Sequence, residues 1–240
     1  IFDDVSGGGI GSAYIFERHA GGSNAWGQVQ KLTPVDGAAS VYFGTSVCIE
    51  GDIAIVGADY DNTIGEDAGA AYVFERTGTG AWEQTARLLA PDGSPSDRFG
   101  WAVSISGHTA VVVALYDDVN GSRRGSAHVF ERAADTPSHW EHKAILSVGG
   151  GTYDSRFGFS VSISGDFIVV GAPWATVAGN YSGSAYVFAR SPDTGWRFVQ
   201  ELQPTDATYG TIFGQSVSID GPIIVIGASL ALDQLGAAYV

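Results

Sequence analysis

An eight-residue phrase recurs through this chain, and any fold must find a use for every copy. Gly-Ser-Ala-Tyr-Ile-Phe-Glu-Arg at 11–18 returns in closely similar form at 69–76, 125–132 and 183–190, and a fifth copy starts at Gly236. The copies are 53 to 58 residues apart. A period of that length belongs to stacked or radially arranged units, so the fold is read from one repeat and then multiplied.

Three further markers keep the same interval. A Phe-Gly pair stands at 43–44, 99–100, 157–158 and 213–214, and a tryptophan at Trp26, Trp82, Trp140 and Trp196. An apolar run closes on small residues at Gly57-Ala58, Val113-Ala114, Gly171-Ala172 and Gly227-Ala228. Each repeat is therefore an ordered set of phrases, and each phrase reads as a strand. Ser-Val-Ser-Ile-Ser at 160–164 alternates with period two, as a half-buried strand does. Ala-Ile-Val at 54–56 and Phe-Ile-Val-Val at 167–170 are continuous β-branched runs, the pattern of a strand covered on both faces. Tyr-Val-Phe at 72–74 and the Trp-led stretch 82–88 supply two more. We name the four strands A (Phe-Gly), B (apolar run), C (recurrent phrase) and D (Trp).

Glycine-centred triplets at 50–52, 106–108, 164–166 and 220–222 join A to B and predict tight hairpins. Longer polar loops connect B to C and D to the next A. Four antiparallel strands make one small sheet that cannot bury both faces alone. The sheets must pack on one another.

The Phe-Gly pair before an alternating strand, with the apolar strand ending in Gly171-Ala172-Pro173, resembles the FG-GAP repeats of the integrin-α-type β-propeller. The resemblance covers essentially the whole chain and is closest to the short-turn members found in secreted and surface proteins. It implies an all-β propeller of four-stranded antiparallel blades, with A innermost and the B–C and D–A loops sharing one face. The expected division is the end of a blade and its following loop at 1–42, blades at 43–98, 99–156 and 157–212, and an incomplete blade at 213–240. The first and last copies of strand C compete for one place, so we expect a segment of a larger ring or array, or pairing of the end strands with neighbouring chains.

A formal net charge of −14 argues against nucleic acid and anionic membrane surfaces as partners. No run approaches the roughly 18 apolar residues of a membrane-spanning helix, so no membrane insertion is expected. The single cysteine, Cys48, stands where other repeats have Ser104, Ser162 and Ser218, and reads as a small strand residue. The resemblance implies a protein outside the cell or on its surface, and the composition agrees with that expectation.

Function is sought in the loops, because strands recur for packing. The family's calcium loop lies between A and B, and this chain has only short hairpins there. The B–C loop 59–67 carries carboxylates at Asp59, Asp61 and Asp67, with hard oxygen donors suited to Ca²⁺. The competing reading is a solvated acidic loop. Aromatic and acidic residues of the same loops, Tyr60, Tyr116, Asp117, Asp118, Trp174 and Tyr181, with Tyr42, Tyr153 and Tyr209 from D–A loops, form a candidate ligand face for glycans or blade-end caps. Asn120 and Asn180 begin acceptor sequons for glycosylation.

Catalysis has little support: the five histidines are scattered, no nucleophile elbow appears, and Gly7-Gly8-Gly9 lacks the helix of a phosphate loop. The Glu-Arg pairs closing strand C, and Arg98 and Arg156 before Phe-Gly, are expected to bond adjacent blades. The reading is a non-catalytic adhesion or structural protein, using loops and blade edges to bind protein partners or itself. The alternatives are a glycan-binding propeller lectin and an accessory domain of a larger secreted enzyme.

Overall fold

The β-branched runs become the second strand of each sheet that has a strand A, and two of them are buried at every residue. The computed structural model describes residues 9–35, 41–118, 124–136, 138–149, 155–177, 180–206, 209–231 and 235–240. Strands β1 (Ala13–Arg18) and β2 (Trp26–Leu32) pair as a two-stranded sheet. Next come β3 (Val47–Glu50), β4 (Ile53–Ala58), β5 (Ala70–Arg76) and β6 (Trp82–Leu88), paired in chain order. The third sheet repeats this with β7 (Phe99–Ser106), β8 (Thr109–Ala114), β9 (Ser126–Arg132) and β10 (Trp140–Leu146).

The fourth sheet holds β11 (Ser160–Ser164), β12 (Phe167–Ala172), β15 (Ser184–Ser191) and β16 (Gly195–Leu202). Its B–C loop contains an extra hairpin, β13 (Thr176–Val177) and β14 (Asn180–Tyr181), which the sequence pattern did not reveal. Last are β17 (Phe213–Asp220), β18 (Ile223–Ala228) and β19 (Ala237–Tyr239). Every strand pair is antiparallel, and the sheets follow the A-B-C-D order of propeller blades. The three four-stranded sheets fall within 43–98, 99–156 and 157–212.

All four C–D pairs slip register by one residue just before the Phe of the recurrent phrase, at Phe16, Phe74, Phe130 and Phe188. One such bulge per sheet bends the outer strand and raises the twist. Among the described residues no helix is long and apolar enough to cross a membrane.

The core lies between sheets rather than within one. Phe43, Phe99, Phe157 and Phe213 are buried and act in two directions. Each backbone N–H donates at 2.9 Å to the preceding sheet, at Ile10, Ala68, Arg124 and Ser182. Each ring turns into its own sheet: Phe43 lies 5.5 Å from Tyr72, Phe99 5.3 Å from His128, Phe157 5.6 Å from Tyr186 and Phe213 5.3 Å from Tyr239. The glycine after each Phe has positive φ, and at Gly44, Gly100 and Gly214 backbone crowds it. Gly100 has φ +94°, and a Cβ there would lie 2.2 Å from the Ala70 carbonyl oxygen.

Serines explain the alternation of strand A. The Ser104 hydroxyl oxygen accepts the Ile163 N–H at 3.2 Å, and Ser162 accepts that of Ile219 at 3.2 Å. One step along, Ser106 accepts from Gly165 at 3.2 Å and Ser164 from Gly221 at 3.1 Å. Polar positions that would face solvent in an isolated sheet thus carry the next sheet's amides. Cys48 occupies the Ser104 position in β3 as a half-buried free thiol.

The Glu-Arg pairs join neighbours as expected. Arg76 reaches Glu17 at 2.9 Å, Arg132 reaches Glu75, and Arg190 reaches Glu131 at 3.1 Å. These partly exposed pairs contribute about 0–1 kcal/mol each, so apolar packing dominates the inter-sheet energy.

Candidate functional site

The B–C and D–A loops meet on one side of the sheets, where Ser96 N–H donates to the Glu66 carbonyl at 2.8 Å and Arg98 N–H to Asp67 at 3.2 Å. Three of the B–C loops are anchored the same way. The third residue after strand B donates its N–H back to the strand's last residue: Asp61 to Ala58, Asp117 to Ala114 and Ala175 to Ala172. Its carbonyl accepts the N–H of the glycine that opens strand C, Gly69, Gly125 or Gly183.

Arg98 is the centre of the best-formed cluster. Its backbone has φ 58°, which turns the side chain across the preceding sheet's loop. The guanidinium lies 3.1 Å from the Tyr60 ring centroid, with Nη1 3.6 Å from Asp59 Oδ2 and Nη2 3.3 Å from Asp67 Oδ2. Tyr42 covers Tyr60 from another side, with ring centroids 4.2 Å apart. Arg98 therefore bonds adjacent sheets, as its place before Phe-Gly suggested. Desolvation lowers its pKa, and the charge of Asp59 counters part of that.

The acidic loop is not solvated at its start, and the cation between Asp59 and Asp67 is the Arg98 guanidinium. Asp59 and Asp61 are each 2% exposed, which corrects the expectation of a solvated loop for both. Asp59 accepts from the Thr45 hydroxyl at 2.6 Å, and its carboxyl pKa is raised by burial despite that bond and Arg98. Asp61 accepts from Thr63 N–H at 2.8 Å and from the Tyr72 hydroxyl at 2.6 Å. Among the described residues no group of three or more His, Cys, Asp or Glu side chains is placed to hold a metal, so Asp59, Asp61 and Asp67 do not form a calcium ligand set. Their spacing in sequence could not show this, because Tyr72 and Arg98 supply the partners.

The next sheet varies the same arrangement. His128 stands where Tyr72 stands, fully buried, with Nε2 2.9 Å from Ser126 Oγ and 3.7 Å from Asp117 Oδ2. Ser126 donates to Asp117 at 2.5 Å, and His128 Nδ1 lies 3.2 Å from His142 Nε2. Burial and the neighbouring His128 lower the His142 pKa. Ser, His and Asp do meet here, but Ser126 and His128 have no exposed surface.

Asp97, which sequence reasoning passed over, is 4% exposed and accepts Ser94 N–H at 2.6 Å. Burial first, and then the charges of Asp117, Asp118 and Asp92, push its carboxyl up to about 6. A carboxyl raised in the fold stabilises below the ordinary value of 3.8, and that contribution is lost as pH rises through about 6. Asp97→Asn keeps the acceptor for Ser94 and removes the charge. Stability in urea at pH 7 is expected to rise by roughly 1–3 kcal/mol, with no gain at pH 4. A loss at pH 7 would mean that the carboxylate itself is required.

Of the remaining ligand-face residues, Trp174 has the Arg156 guanidinium 4.2 Å from its ring centroid and Phe159 at 5.3 Å. Tyr116 is half-buried and donates its N–H to the Asp97 carbonyl at 3.1 Å, while Asp118 is exposed. Tyr181 and Tyr209, 48% and 73% exposed, stand edge to face at 6.0 Å. The expected aromatic face is thus divided: Tyr60 and Trp174 are covered by arginines, and Tyr181 with Tyr209 is open. Asn120, Tyr153 and the Asn180 side chain lie outside the described residues.

Comparison with curated proteins gives no match. The FG-GAP repeat family model matches at residues 26–74, 82–130, 140–188 and 196–240, each match opening on the tryptophan of strand D. With four matched repeats spanning most of its length, and with the A-B-C-D sheets those repeats require, the chain belongs to the FG-GAP repeat family.

Proposed function

We propose that this chain is a non-catalytic assembly module of an extracellular or cell-surface adhesion or structural protein, and that its end sheets bind further FG-GAP repeats. The observation that supports this most directly is the match between β3 and β17. Ile49 and Gly51 stand in β3 and its hairpin where Ile163 and Gly165 donate amides to serines of the preceding sheet. Ser218 and Asp220 stand in β17 where Ser162 and Ser164 accept such amides from the sheet that follows. One face offers donors and the other acceptors, at the same spacing.

Apolar surface accompanies both. A groove of about 460 Å³ beside β3 is lined by Ile15, Phe16, Val47 and Ile49, and Phe16, Val47 and Ile49 are each more than half exposed. Ile224, Ile226 and Tyr239 line a second hollow beside β17. The occupant we infer is a second copy, its β17 laid along β3. Sedimentation velocity over a wide concentration range is expected to show mass increasing with concentration. Val47→Asp with Ile49→Asp should hold the chain monomeric. A wild-type chain that stays monomeric throughout would refute assembly through these edges.

A second reading, glycan binding, is favoured at one place: the exposed pair Tyr181 and Tyr209. A glycan array probed with wild type and Tyr209→Ala tests it, and no binder that depends on Tyr209 would remove it.

A further inference from the structure

The residue of strand D that faces the strand-C ring changes its charge in one sheet. Register pairs Tyr14 with Lys31 and Tyr72 with Arg87, and in both the cation lies over the ring, at 5.8 and 6.0 Å from its centroid. His128 pairs with Ile145. In the fourth sheet Tyr186 pairs with Glu201, so the chain places a carboxylate where two other sheets supply a cation. The strand-D residue three places earlier changes as well. Gln28, Gln84 and His142 give way to Phe198, which is 51% exposed and 6.4 Å from the Tyr186 ring.

These departures surround a cavity of about 380 Å³ between this sheet and the one before it. Tyr186, Phe198 and Glu201 of this sheet and Thr176 of its B–C loop line it, with Ser147 and Val148 from the sheet before. Ser184 donates to Glu201 Oε1 at 2.7 Å and so holds the carboxylate in place. The Glu201 carboxylate, which also bonds the Tyr186 hydroxyl, two aromatic rings and nearby hydroxyl groups are the receptor that an ammonium or guanidinium group requires. In the first two sheets the corresponding ring is covered from within, by Lys31 or Arg87. The overall charge of −14 draws cationic ligands toward it.

We propose that this cavity binds an organic cation, a guanidinium or primary ammonium group presented from outside the chain. Its source is either a basic side chain of a protein partner or a free amine. The internal precedents set the ring contact, with the cation against Tyr186; Glu201 and Phe198, which line the same cavity, supply the charge and the flank.

Titration of the ¹⁵N-labelled chain with agmatine, followed by amide shifts, tests the site. Saturable shifts centred on residues 147–149, 176, 186, 198 and 201 are expected. Glu201→Gln should weaken binding about tenfold, the loss of one charge-assisted hydrogen bond. Glu201→Arg should abolish it by restoring the internal cation, with no fall in melting temperature. Butylamine should shift the same residues, and butanol should not. An acetylated and amidated Gly-Arg-Gly peptide separates the sources: tighter binding than agmatine assigns a protein side chain, and weaker binding a free amine. Absence of saturable shifts with agmatine, or equal shifts from butanol, or unchanged binding by Glu201→Arg, would each overturn the proposal.

Discussion

Gly171→Ala should cost roughly 3–5 kcal/mol, although it adds one methyl group to a strand where alanine is otherwise welcome. The new Cβ would lie 2.0 Å from the Gly214 carbonyl oxygen and 2.4 Å from Ser160 Oγ. That carbonyl belongs to the next sheet and accepts the Ser160 hydroxyl at 2.9 Å. Relief therefore requires moving one sheet away from another, with loss of a partly buried hydrogen bond and of close packing. Gly57 is in the same position against Gly100.

Gly227 is the internal control. It occupies the same place in β18, but a Cβ there would meet chiefly Ser216 Oγ at 2.3 Å, the end of a side chain that can rotate. Gly227→Ala should cost less than about 1 kcal/mol. Urea midpoints of the two variants test the account, and equal losses would show that sheet-to-sheet contact is not what forbids a side chain.

Arg98→Met should be nearly as damaging and, unlike the glycine variant, should depend on pH. Methionine keeps the apolar stem and the non-glycine backbone, so only the charge and its contacts are removed. Asp59, 2% exposed, and Asp67 then lose their cation. Breaking a buried pair from one side costs roughly 3–5 kcal/mol. The Asp59 carboxyl is already raised by burial, and Arg98 is one of the influences that lower it. Without Arg98 the pKa rises further, so the penalty grows as pH rises from 4 to 7 and shrinks as the carboxyl takes up a proton. Adding Asp59→Asn should recover most of the loss at pH 7. A penalty of equal size at pH 4 and pH 7 would contradict the electrostatic explanation.

The repeat made strands, order and hairpins readable, because each depends on residues within a few positions of one another. Inter-sheet bonding was partly readable for the same reason: Glu75 and Arg132 stand at matching positions of successive copies. The loops were harder. Asp61 reads as an exposed acid until Tyr72 is seen to donate to it, and Asp59 until Arg98 is placed against it. Spacing counts the carboxylates but does not say which donors will reach them. The two-residue strands β13 and β14 are too short to carry any period. The cavity beside Glu201 was legible in principle by aligning Lys31, Arg87, Ile145 and Glu201. Its meaning depends on the C–D register, and a bulge shifts that register in each of the four C–D pairs.

The serine-to-amide bonds between A strands carry a thermodynamic consequence. Each spans one period: Ser104 to Ile163, then Ser162 to Ile219. Coupling that reaches only nearest neighbours makes the chain a one-dimensional lattice, in which each sheet's persistence depends on how many flanks are occupied. Hydrogen exchange should then be slowest in β8 and β12, whose sheets are covered on both sides.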